Sequence, residues 1–145
     1  MAEIGFYHLT RRPLDAVLPR LLEKAHEAGN RIVVRAPDAM LARLDELLWT
    51  YDEGSFLPHG RSEPARQPIL LSETGENSNG ATVAVLLSPP FEPWPDGYER
   101  ILVMFDEADP DVLGAARAAW KSLGKSDHAR TYWQQDERGR WVKAA

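Results

Sequence analysis

Residues 31–60 read RIVVRAPDAMLARLDELLWTYDEGSFLPHG, and the hydrophobic period changes inside them. Arg31–Ala36 is a β-branched apolar run, the composition of a strand. After Pro37, the residues Met40, Leu41, Leu44, Leu47 and Leu48 recur every three or four positions, which is the stripe of an amphipathic helix. Asp38 stands where it could cap that helix. A strand feeding a helix is the repeating unit of an α/β layer fold. The stretch then ends with Trp49, Phe56 and Leu57 among acids, glycines and a proline. Large apolar groups there need a cover, supplied by the chain's own core, a ligand or another protein.

The same alternation extends in both directions. Upstream, Glu3–Leu9 reads as a first strand, with Ile4, Phe6 and Leu9 as core candidates. Pro13 then opens a helical stretch carrying Leu14, Val17, Leu18, Leu21, Leu22 and Ala25, closed by Gly29. Pro19 lies inside it, and an interior proline costs about 3 kcal/mol, so a kink or a later start is expected. Downstream, Pro58–Gly80 is rich in turn residues, broken by ILL at 69–71, which suits a short edge strand. Thr82–Leu87 and Arg100–Phe105 are near-continuous apolar runs, as in strands covered on both faces. SPPFEPWPDGYE between them is a proline-rich loop with aromatics.

Asp109-Pro110 caps a third helix bearing Val112, Leu113, Ala116, Ala119, Trp120 and Leu123, ended by Gly124. RTYWQQ and RWVK flank DERG as a terminal hairpin, with Gly139 in the left-handed position and Trp133 and Trp141 able to pair across strands. No repeat or boundary interrupts the chain. The expectation is a single α/β domain over residues 1–145: a mostly parallel sheet, helices on both faces and a C-terminal hairpin.

Composition narrows the function. A formal charge of −5 argues against tight, direct nucleic-acid binding, because phosphate contacts demand a basic surface. A local basic patch stays compatible with it. The absence of cysteine removes disulfides, thiolate nucleophiles and cysteine-ligated metals. No apolar run approaches the roughly 18 residues of a membrane helix. The opening MAEIGFYHL enters a strand without a basic leader, so the expected location is the cytoplasm.

Catalytic patterns are missing as well. No GxGxxG or GxxxxGK[ST] follows a strand, and the first strand leads into TRRP. His8, His26, His59 and His128 are scattered without metal-ligand spacing, so neither cofactor nor metal is expected. No GxSxG elbow surrounds a serine. Asp45 and Glu46 read as a solvated helix face, and Asp106 and Asp109 as turn and cap.

Residues 29–60 closely resemble the chi subunit of the bacterial DNA polymerase III holoenzyme, an accessory of the clamp loader. The resemblance is carried by Gly29, Arg31, Asp38, Arg43-Leu44-Asp45-Glu46, Leu48-Trp49, Ser55-Phe56 and Pro58-His59. Phe6–Leu9 is similar to the family's opening strand, and the late helix with Trp120-Lys121 to its C-terminal region. It implies a Rossmann-like sheet without nucleotide chemistry and a non-enzymatic adaptor with two docking surfaces. One binds the psi subunit, tying chi to the clamp loader. The other binds the acidic, phenylalanine-ended C-terminal tail of single-stranded-DNA-binding protein.

On that resemblance Trp49 and Phe56 face psi. Leu57 is counted with them, although with Pro58 and His59 it also shapes the loop. Rigid aromatics bury about 150–250 Å² at little entropic cost and make good anchors. The tail-binding set is Arg117, Trp120 and Lys121, with Lys125 at the helix end. Arg117 and Lys121 are four apart and share a face, with Trp120 beside them. A cation pair beside an aromatic suits a peptide end that brings a ring and a carboxylate. Gly114 and several alanines stand where relatives carry further basic residues, which implies weaker tail binding. Two other readings remain: a small nucleotide- or phospho-ligand enzyme using His8, Asp15 or Asp106 at strand ends, and an adaptor for a repair helicase.

Overall fold

The computed structural model describes residues 2–50 and 57–145. In chain order the elements are β1 (Glu3–Leu9), α1 (Leu14–Glu27), β2 (Ile32–Arg35), α2 (Asp38–Thr50), β3 (His59–Gly60), β4 (Ile69–Ser72), β5 (Val83–Leu86), β6 (Arg100–Asp106), α3 (Pro110–Leu123), β7 (Arg130–Gln135) and β8 (Trp141–Lys143). The strands form one open sheet in the order β3-β4-β2-β5-β6-β1-β7-β8. Every pairing is parallel except β7 with β8. The expected α/β class, mostly parallel sheet and terminal hairpin are all present.

The near-continuous apolar runs have the reason expected for parallel strands: both sheet faces are covered. Ile32, Val34, Val83, Val85, Leu102 and Met104 point to one face, where they meet Leu18 and Leu22 of α1 and Leu41, Leu44 and Leu48 of α2. Their neighbours Val33, Ala84, Leu86, Ile101, Val103 and Phe105 point to the other, against Ala116, Ala119 and Leu123 of α3. A single α-helix covers too little of that second face. Phe91, Trp94 and Tyr98 of the proline-rich loop fill the remainder, with Tyr98 Oη donating to Gly75 O at 2.8 Å.

Four local expectations change. The strand at 69–71 is internal, because β4 lies between β2 and the two-residue β3, which forms the edge. Asp38 is the first residue of α2, not its cap. The first helical acceptor is Pro37 O, bonded by Leu41 N at 2.9 Å, and the Asp38 carboxylate pairs with Arg61. Helix α1 starts directly after Pro13 and runs through Pro19, whose ring is buried, so apolar packing offsets part of the lost hydrogen bond. Finally, Trp133 lies opposite Lys143 and Trp141 opposite Gln135, so the two indoles do not pair across the hairpin. Both meet Tyr7 of β1 instead, Trp133 stacked at 6.1 Å and Trp141 edge-on at 5.2 Å. The hairpin thus extends the sheet. Among the described residues no helix is long and apolar enough to cross a membrane.

Candidate docking surfaces

The last turn of α2 carries an exposed indole. Leu41, Leu44 and Leu48 turn into the core and leave Trp49 on the outer side, 55% exposed. Its ring lies 4.8 Å from that of His59, tilted by 56°. The His59 side chain is fully buried and fixed at both nitrogens, Nδ1 against Leu57 O and Nε2 3.1 Å from the Asp45 carboxylate. His59 therefore ties β3 to α2 and supports the indole from below. Asp45 is engaged in that contact, whereas Glu46 is solvated as expected. Leu57, expected beside Trp49, is only 2% exposed and belongs to the core beneath α2. Phe56 lies outside the described residues.

The third helix lies on the opposite face of the sheet. Asp109 caps it, its carboxylate accepting from Asp111 N at 3.2 Å and Val112 N at 3.3 Å. Ala116, Ala119 and Leu123 face the sheet, leaving Arg117 and Lys121 exposed on one outer row and Lys125 just beyond the helix. None of the three cations has an ion pair among the described residues. Gly114 has open space around it and Ala118 is exposed, so the strip beside Arg117 is shallow.

Trp120 is half-buried in a cluster of rings, edge-on to Phe6 and to Tyr132 at 5.4 Å each. Arg130 of β7 covers its remaining face, 4.0 Å from the ring centroid, and donates to Trp120 O. Sequence spacing set Arg117 next to Trp120. The structure brings Arg130 there too, a residue that no local pattern could have nominated.

Beneath Arg117 the rings continue into a polar cluster. His8 of β1 is buried, stacked on Phe105 at 4.9 Å. Its Nδ1 is 2.9 Å from Tyr132 Oη and its Nε2 is 3.2 Å from the Glu107 carboxylate. Burial holds the imidazole below its ordinary pKa of 6.5. The Glu107 charge opposes that shift and the Arg117 charge adds to it. Burial also raises the Tyr132 phenol. The other strand-end carboxylates are engaged structurally: Asp15 pairs with Arg43, and Asp106 Oδ1 accepts from Ala108 N at 2.9 Å in the turn before α3.

The loop between β1 and α1 bears most directly on nucleotide chemistry. Successive backbone N–H groups at this position form the usual cradle for phosphate in doubly wound folds. Here Thr10 N, Arg11 N and Arg12 N converge at 3.0, 2.9 and 3.0 Å on one acceptor, the Gln135 Oε1. Gln135 is itself buried. A side chain from the C-terminal hairpin thus occupies the cradle.

The sequence matches the family described as DNA polymerase III chi subunit, HolC, over residues 1–131. It is also similar to a probable DNA polymerase III subunit chi from Rickettsia prowazekii (strain Madrid E), 32% identical over 93 residues. That match covers 61% of this chain and 56% of the relative. With a match running from β1 into β7, the chain belongs to the DNA polymerase III chi subunit family.

Proposed function

We propose that this chain is a non-catalytic replication adaptor that links the clamp loader, through a psi subunit, to the acidic C-terminal tail of single-stranded-DNA-binding protein. The observation that carries the reading is the placement of an exposed aromatic and an exposed cation row on opposite faces of one sheet. Trp49 ends a helix packed on one face, and Arg117 and Lys121 stand on a helix packed on the other. An indole braced by a fixed imidazole is pre-ordered for docking, so burying it costs little side-chain entropy. The cations of α3 and Arg130 favour a peptide carboxylate, and the half-buried Trp120 and Tyr132, backed by buried Phe6, favour a ring at their exposed edges. Gln135 in the phosphate cradle weighs against a nucleotide enzyme.

The test is a titration of a fluorescent acidic peptide ending in phenylalanine. We expect binding on a micromolar scale, about −8 kcal/mol, that weakens with salt. Arg117→Ala/Lys121→Ala should weaken it about tenfold or more. Absence of binding by the wild-type chain would remove the tail-binding half of the reading. Pull-down with Trp49→Ala addresses the other half, because loss of a repair helicase with psi retained would assign that surface differently.

A further inference from the structure

A basic groove lies away from α3, on the sheet face covered by α1. It is about 290 Å³ and runs between the outer side of α1 and the β7–β8 turn. Val17, Leu21 and Trp141 give it an apolar floor, and Arg12, Arg20 and Lys24 supply cations along it. Arg20 and Lys24 are four apart and so are Val17 and Leu21, which sets a charged row beside an apolar row. No carboxylate lines the groove, and its three cations have no ion pair among the described residues. Unpaired cations around an apolar floor are notable in a chain of net charge −5.

The end of the groove is constructed. Gly139 turns at φ +76°, and a Cβ there would lie 2.5 Å from Arg12 Nε, so only glycine lets that side chain cross the turn. Arg12 then donates to Arg138 O at 3.2 Å. Its backbone is held from the other side by Gln135. The guanidinium thereby reaches the β7–β8 turn from the N-terminal side of α1, while Lys24 stands in the last turn of that helix.

We propose that this groove docks an acidic amphipathic peptide segment of a partner protein. One or two apolar side chains would lie along Val17 and Leu21 against Trp141, flanked by carboxylates facing Arg12, Arg20 and Lys24. Charge complementarity selects an anionic partner. The apolar row selects a peptide over a nucleic acid strand, which would need an open aromatic face for stacking. Trp141 is half-buried and set edge-on against Tyr7. A volume near the lower end of the usual range of about 300–1,000 Å³ fits side chains better than a cofactor.

The experiment is an NMR titration of the isotope-labelled full chain with a synthetic peptide of alternating Glu and Leu residues. A Gln-for-Glu version and an oligothymidylate serve as controls. The expected result is shifts on α1 and the Trp141 indole that persist in Arg117→Ala/Lys121→Ala. Arg20→Gln/Lys24→Gln should weaken binding about tenfold with the melting temperature nearly unchanged, since both residues are exposed and the variant adds no acid to the last turn of α1. Equal binding of the uncharged peptide, shifts confined to α3, no shifts, or stronger α1 shifts with oligothymidylate would each overturn the proposal.

Discussion

Gln135 stands on β7, yet its amide oxygen organises a loop 123 to 125 positions earlier in the chain. Its orientation follows from chemistry, because three converging N–H donors require an oxygen. Gln135→Leu would strip all three of their acceptor. Each orphaned donor costs about 1–3 kcal/mol, and water can reach part of this exposed loop, so the expected loss is about 2–4 kcal/mol in a denaturant melt. Gln135→Glu keeps an acceptor and should lose less. Wild-type stability in Gln135→Leu would contradict the cradle's role. Nothing in the local pattern around YWQQDERG announces this contact, which is visible only once β7 is seated beside β1.

His8 gives a second prediction on the same scale. Its folded pKa lies below 6.5, so the unfolded chain takes up its proton first as pH falls. The associated stability is complete above about pH 6.5 and declines below it until the folded imidazole also protonates. Urea melts at pH 7 and pH 5 should show a smaller drop for His8→Gln than for wild type. An equal drop would mean that His8 is not the titrating group. The sequence marks His8 as a strand-end residue but cannot show its partners Tyr132 and Glu107, which come from other elements.

Among the elements, α2 separates surface from support. Trp49 is more than half exposed, so Trp49→Ala should leave stability within about 0.5–1 kcal/mol while removing psi-dependent pull-down. Leu57 is core, so Leu57→Ala should cost about 2–5 kcal/mol. The reverse order would place the indole in a structural role. Helix α3 depends on its cap: Asp109→Ala leaves two first-turn amides without their acceptor and should cost about 1 kcal/mol in a thermal melt. All three α-helices were legible from apolar periodicity, and the central strands from their unbroken apolar runs. Strand order was not, because a four-residue ILLS reads alike at an edge and inside a sheet. The indoles of the hairpin were misjudged for a related reason: register depends on the neighbouring β1, whose Tyr7 attracts both.

At the scale of the molecule, the sheet acts as a spacer. Both faces are packed with apolar side chains from different helices, so a ligand on one side does not share side chains with a ligand on the other. The family could be read from the central motif, and the exposure of Arg117 and Lys121 on one row of α3 from their spacing. The cation over Trp120 could not, since Arg130 reaches it from a strand paired elsewhere. Independence of the two faces is the central claim, and thermodynamic additivity tests it most directly. The decisive measurement is the affinity of the phenylalanine-ended acidic peptide for four chains: wild type, Trp49→Ala, Arg117→Ala/Lys121→Ala and the triple variant. The account predicts unchanged affinity in Trp49→Ala and about tenfold or greater weakening in the double variant, with no added effect in the triple. Comparable weakening by Trp49→Ala in a chain that melts normally would contradict it.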